Sequence, residues 1–227
     1  YGSGCFRGLG HDGMIEKAER FVGEGFKAIK MQVLEPYISV GSNMRVFTTE
    51  EAPFFWVNAT GAVETTVKVY KKNILDEISS QTFRKSGVDV GTDLSIYPTY
   101  RSKFHNPYSE EKPYKQLKRT LNPSYTDSAR ANFKLTKGME PGDYVIIAEA
   151  LDVTGKKRVS SISWFSVSDI GLIVKHSPDQ TLVRAINLKN NQAIEGAELT
   201  LNNQIGNSSN YKLDPADSAI SDKQGLV

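Results

Sequence analysis

From Leu34 to Val227 the apolar positions fall in short, often alternating runs rich in β-branched and aromatic residues. They lie at 37–40, 44–48, 54–58 and 62–70, and again at 128–135, 143–150, 158–167, 172–175, 181–186 and 197–201. Between them stand turn-forming clusters such as Gly41-Ser42-Asn43, Pro53 and Glu140-Pro141-Gly142. Period-two alternation punctuated by Gly, Pro and Asn predicts strands of an antiparallel β-sandwich. Two stretches break the rhythm. Residues 73–85 carry Ile74, Leu75, Ile78 and Phe83, a pattern that predicts a short helical turn on the sandwich edge. Residues 97–121 interleave Arg101, Lys103, Lys112, Lys115, Lys118 and Arg119 with Tyr100, Phe104, Tyr108 and Tyr114. Pro107, Pro113, Glu110 and Glu111 interrupt that segment, which reads as a solvated loop anchored by its aromatics.

Residues 1–33 have another texture. Asp12 stands where a helix N-cap is wanted, and Met14, Ile15, Ala18, Phe21 and Val22 recur at helical spacing opposite Glu16, Lys17, Glu19 and Arg20. Gly25 suits a left-handed helix end, and 26–33 reads as a strand. A strand end, a helix and a strand in so short a span predict a βαβ unit.

Composition narrows the classes. The chain has 227 residues, 39% hydrophobic and 24% charged, enough to bury a core. A net charge of +2 gives no footprint for nucleic acid. No apolar run approaches the roughly 20 residues of a membrane helix, the best stretch, 144–150, being interrupted by Glu149. The single cysteine, Cys5, forms no internal disulfide and reads as a free thiol. The chain starts without Met and stops inside an apparent strand, the pattern expected of a fragment at both ends.

Candidate chemistry is sparse. His11, His105 and His176 are widely spaced, and no Gly-x-Ser-x-Gly elbow marks a nucleophile. Asp214, Asp217 and Asp222 lack the alternation of a calcium loop, so a polar hairpin loop is expected there. Gly2, Gly4 and Gly8 do not make a dinucleotide fingerprint. Asn58-Ala59-Thr60 and Asn207-Ser208-Ser209 are sequons in form, read as turn residues, and Trp56 and Trp164 are expected in the core. These residues supply no catalytic, cofactor or metal site.

Several motifs occur in a fixed order: 35–48 as an opening strand pair, Val67-Lys68-Val69-Tyr70-Lys71, Pro141-Gly142-Asp143-Tyr144, and Phe165-Ser166-Val167-Ser168-Asp169-Ile170-Gly171-Leu172. Ser177-Pro178-Asp179-Gln180-Thr181 and 191–199 continue the set. Together they resemble the early macroglobulin domains of the bacterial alpha-2-macroglobulin family. The resemblance implies a mainly β fold: one macroglobulin-like (Ig-like) antiparallel sandwich over 34–167 and the N-terminal part of a second over 168–227. It implies a non-catalytic scaffold piece of a protease-trapping protein of the cell envelope, periplasm or extracellular space. Proteases would be met only through the full-length parent, and neighbouring macroglobulin domains would be the direct partners. The bait region is absent, and Cys5 is followed by Phe6-Arg7-Gly8 rather than the Cys-x-x-Gln of the family's thioester.

Residues 1–33 separately resemble the mandelate racemase and muconate-lactonizing group of the enolase superfamily. The carriers are Tyr1-Gly2-Ser3-Gly4, the helix 19–26, and Ala28-Ile29-Lys30-Met31-Gln32-Val33. Lys30 matches the first lysine of that family's Lys-x-Lys pair, while Gln32 replaces the second. This resemblance implies, as the alternative reading, a piece of a metal-dependent racemase or dehydratase barrel with Lys30 at its active site. The two resemblances meet near Val33-Leu34, where a fused junction is expected.

Overall fold

The computed structural model describes residues 2–3, 11–25, 29–30, 37–42, 46–90, 96–98, 104–121, 129–152, 158–206 and 212–227. The elements run β1 (Gly2–Ser3), α1 (His11–Gly23), β2 (Ile29–Lys30), β3 (Tyr37–Gly41), β4 (Val46–Phe47), β5 (Phe54–Thr60) and β6 (Ala62–Lys71). Then come α2 (Ile74–Ser79), α3 (Thr82–Lys85), β7 (Val88–Val90), β8 (Ile96–Pro98), β9 (Lys115–Thr120), β10 (Ala129–Lys134), β11 (Gly142–Asp152) and β12 (Arg158–Val167). Last are β13 (Ile170–His176), β14 (Thr181–Asn187), β15 (Glu198–Ile205) and β16 (Lys212–Ile220).

Two sheets face each other, one of three strands in the order β10-β5-β3 and one of five in the order β4-β12-β11-β6-β9. All these pairings are antiparallel except that of β4 with the end of β12. The space between the sheets is filled by Ile38, Phe55, Val57 and Phe133 from one side and Val67, Val69, Tyr144, Ile146, Phe165 and Val167 from the other. Phe55 stacks on Phe133 at 5.4 Å and Tyr144 on Phe165 at 5.2 Å. This is the sandwich that the alternating runs predict.

The five-stranded sheet is covered on its other face as well. Tyr70, Val145, Ile147 and Ile162 point away from the first core and meet Ile74 and Ile78 of α2, Phe83 of α3, and Val88, Val90 and Ile96 of the β7–β8 hairpin. That double burial explains why 144–150 reads as an almost unbroken apolar run, since a strand covered on both faces has no reason to alternate. The helical segment therefore lies on a sheet face, not at the sandwich edge where the sequence places it. Asn73 starts α2 by accepting from the amides of Leu75 and Asp76, and the Asp143 carboxylate accepts from the Ile74 amide at 3.1 Å.

Three further expectations are corrected. The basic and aromatic segment is not all loop: Lys115–Thr120 is β9, paired with β6, and it was hard to read because Leu117 alone of its residues is apolar. The polar loop expected around Asp214 and Asp217 is the strand β16, paired with β15 through a register shift at Leu201/Asn202. Asn58, expected in a turn, lies within β5, where its side-chain carbonyl accepts from Arg130 Nε at 2.9 Å. In the first segment the βαβ reading matches the backbone: β1 and β2 pair in parallel, Gly2 with Ile29 and Ser3 with Lys30, around α1.

After the sandwich come two ribbons, β13–β14 and β15–β16. Residues 225–227 close back on β14, where the Ala185 amide donates to Gly225 O and Val183 and Val227 exchange two bonds. Gly225 has φ of +74°, and a methyl there would sit 2.4 Å from the Ala185 carbonyl oxygen, so only glycine fits this approach. Leu213 of β16 packs against the outer core beside α2, which ties the second ribbon to the sandwich.

Candidate functional site

The functionally informative place is the joint between the sandwich and the ribbons, built from the motif 165–172. Phe165 and Val167 end β12 inside the core, with Phe165 edge-on to Phe47 at 5.8 Å. One residue later the Ser168 amide donates to Phe47 O at 2.8 Å. Asp169 is the hub. Its carboxylate accepts from the Thr49 amide at 2.8 Å, from the Thr49 hydroxyl at 2.8 Å and from Lys189 Nζ at 2.9 Å. Its own carbonyl accepts from the Leu188 amide at 2.8 Å. Lys189 also stands 3.7 Å from Glu50, so one cation after β14 bridges two acids, one on the sandwich loop and one on the linker.

The Thr49 backbone donor, with Lys189 and the Thr49 hydroxyl adding to it, holds the Asp169 carboxyl below its usual range against the opposing effect of burial. The bond from Asp169 in turn holds the Lys189 ammonium above its usual value. Both groups are charged across the neutral pH range. Gly171 completes the joint: a Cβ there would meet Leu188 Cδ2 at 2.5 Å, so its absence leaves room for the Leu188 side chain.

The motif around Tyr144 has an equally local cause. Gly142 takes φ of +139°, and Tyr144 Oη donates back to Glu140 O at 2.7 Å. The Asp143 carboxylate accepts from the Ser166 hydroxyl and from the α2 amide. A tyrosine at the start of a strand tied to backbone just upstream is the device known as a tyrosine corner in Ig-type sandwiches. Burial, with Tyr114 and Glu140 nearby, pushes the Tyr144 hydroxyl up to about 12, so it remains a donor.

The other residues singled out by sequence are not brought together. Lys30 pairs with Ser3 in β2, and β1 is the only strand beside it among the described residues, whereas a barrel site needs several parallel strands. Cys5 and 207–209 lie outside the described residues. His105 is exposed, and His176 Nδ1 is 2.8 Å from Thr181 Oγ1 in its own hairpin. Asp222 caps a turn by accepting from the amides of Gln224 and Leu226. Trp56 is not a core residue: it is half-buried on the outer side of β5, with the Arg130 guanidinium 4.9 Å above its ring. Trp164 packs against the outer core. A groove of about 310 Å³ on the sheet surface is lined by Lys68, Glu149 and Arg158, but Glu149 lies 2.9 Å from Lys68 and 3.7 Å from Arg158, so its charges are matched internally. Sequence reasoning missed Lys189 and Thr49 altogether, because the only signal was an ordinary turn lysine and an ordinary loop threonine.

No family model matches the sequence, and no curated protein matches it. Solved structures do match. Native alpha-2-macroglobulin from Escherichia coli, in a crystal structure spanning domains MG0-NIE-MG1, aligns with a TM-score of 0.52 at 18% identity, covering 86% of this chain and 57% of that one. The NIE-MG1 piece of the same protein aligns at 0.47 and 19% identity, covering 87% and 88%. A mutant Salmonella alpha-2-macroglobulin aligns at 0.37 and 9% identity, covering 88% of this chain and 14% of that one. This chain is thus similar in fold to the MG0-NIE-MG1 segment of the E. coli protein and spans 57% of that structure's length.

Proposed function

We propose that the chain is a non-catalytic scaffold segment of an alpha-2-macroglobulin-like, protease-trapping protein of the cell envelope or extracellular space. In this reading residues 34–167 form one macroglobulin-like sandwich, 168–227 begin a second, and 1–33 are a separate βαβ piece. The carrying observation is the joint at Asp169, which fixes a closed sandwich to an unsealed one. On β13, Leu172 and Val174 share a face and are 56% and 57% exposed, and on β15 and β16 Leu201 and Ile220 are 63% and 68% exposed. The stripe on β13 is of the kind that marks a surface further structure covers. The ordered set of motifs and the likeness in fold to the E. coli protein support the assignment.

Trapping by enclosure predicts a particular assay result for the full-length parent. Mixed with trypsin, it should block cleavage of a large protein substrate while leaving a small peptide substrate accessible. The present chain alone should block neither. A parent that inhibits neither substrate, or both equally, overturns the trapping reading. The segment boundaries are tested by limited trypsin digestion with fragment masses. Early cuts at Lys17, Arg20, Lys27 and Lys30, with a resistant core from near Leu34, support them. Protection of Lys27 and Lys30 counts against them.

A further inference from the structure

The five-stranded sheet ends at β9, and among the described residues no strand pairs with the free edge of β9. Half of its peptide groups are therefore available to an added strand. Pairing with β6 sets Lys115, Leu117 and Arg119 opposite Val69, Val67 and Thr65, on the face turned toward the sandwich interior. Leu117 packs against the core, while Lys115 and Arg119 stand exposed at the rim. Neither has an ion-pair partner among the described residues. Arg119 shares a groove of about 370 Å³ with Phe54, Asn132, Phe133 and Lys134, so cations from both sheets border one groove. The stretch 112–121 holds Lys112, Lys115, Lys118 and Arg119 and no acidic residue, and the nearest compensation is Glu64, 3.4 Å from Lys118.

These charges decide what can pair. A second copy of β9 laid antiparallel on the first would set lysine and arginine against lysine and arginine, and like charges in cross-strand positions repel. An apolar strand would bury the Arg119 and Lys134 charges without partners. An extended segment with acidic residues at alternate positions meets each cation with a carboxylate and satisfies the open backbone groups. We propose that the free edge of β9 receives an acidic extended segment of another polypeptide as an added strand, with Lys115, Arg119 and Lys134 selecting it.

The test uses the full chain, isotope-labelled for NMR, and a capped synthetic peptide of about nine residues, strand length, in which glutamate alternates with threonine and valine. Saturable shifts centred on the β9 amides are expected, with affinity falling about tenfold when salt is raised from roughly 50 to 300 mM. The double variant Lys115→Glu/Arg119→Glu should weaken binding by at least about tenfold. A peptide of the same sequence carrying N-methyl groups on adjacent pairs of residues keeps its charge but loses donors along both of its edges, and it should fail to bind. Equal binding of the N-methylated peptide reduces the interaction to surface charge attraction and overturns strand addition. Absence of shifts in β9 overturns it too. Should the double variant not fold, the two peptides compared on the unaltered chain still decide the matter.

Discussion

At the scale of single residues, the parts of the chain that announce themselves in sequence are those whose partners are close in sequence. Pro141-Gly142-Asp143-Tyr144 is legible because the positive-φ Gly142 and the return of Tyr144 Oη to Glu140 O, four positions back, are all local. Replacing Tyr144 by Phe keeps the stacked ring and removes one hydrogen bond, so chemical denaturation should show a loss of about 1 kcal/mol. A change within error would mean that the bond is made equally well by water. Asp169 was visible as part of a motif but not as a clamp, because Thr49 lies 120 positions away and nothing local marks it. Its carboxyl binds a proton more weakly in the folded chain than in the unfolded one. Its contribution is therefore complete above the ordinary Asp value near 3.9 and is lost as pH falls through that value to the lower folded one. Lys189 runs the other way: its contribution is complete below the ordinary Lys value near 10.4 and is lost as pH rises through the higher folded one. Hydrogen exchange at the Thr49 amide should accordingly be protected at neutral pH beyond what base-catalysed exchange alone predicts, and Asp169→Asn should accelerate it about tenfold while leaving the core amides unchanged. Unaltered exchange in that variant would show that the Thr49 bond survives without the charge.

At the scale of elements, strands that carry apolar residues are legible in the sequence and the polar strands β9 and β16 are not. β5 alternates buried with half-buried residues and β10 buried with exposed ones along most of their length, and the sequence shows it. β9 lies at an edge with almost all of its residues in water, and β16 is polar with Pro215 inside it, so neither carries an apolar rhythm. β11 is legible as a strand at 143–150 without alternating, since its two faces serve two cores. Ile146 belongs to the inter-sheet core and Ile147 to the core beneath α2 and α3. Truncating either to alanine should therefore cost about 2–5 kcal/mol, measured by urea denaturation, because each leaves a cavity in a filled layer. A sandwich with one face in water would lose stability from one of the two only. A small effect of Ile147→Ala would mean that the helical layer is loosely packed.

At the scale of the whole molecule, the distribution of exposed apolar surface is uneven. The sandwich buries its large side chains between and beneath its sheets, whereas Ile170, Leu172 and Val174 line one face of β13 with more than half of each side chain exposed. Paired across from them are Asn187, Ala185 and Val183, of which Ala185 is fully buried by the closing segment at Gly225. The ribbon is thus anchored along one edge and exposes apolar side chains on both faces, Leu172 and Val174 on one and Ile173 and Leu182 on the other, a shape that favours contact with whatever apolar surface is available. In the isolated chain that surface is another molecule, so light scattering should show association that rises with protein concentration. The double variant Leu172→Thr/Val174→Thr places β-branched, strand-compatible side chains at both positions and breaks the apolar stripe. It should shift the association to concentrations about tenfold higher, because two half-exposed aliphatic side chains contribute on the order of 1–2 kcal/mol to such a contact. The melting of the sandwich should stay where it was, since neither residue touches its cores. Association unchanged in the variant would place the contact elsewhere, and the basic edge at β9 would not explain it, since like charges hold two copies of that edge apart. The surfaces to change next would then be the other face of the same ribbon, at Ile173 and Leu182, and the ribbon β15–β16, at Leu201 and Ile220.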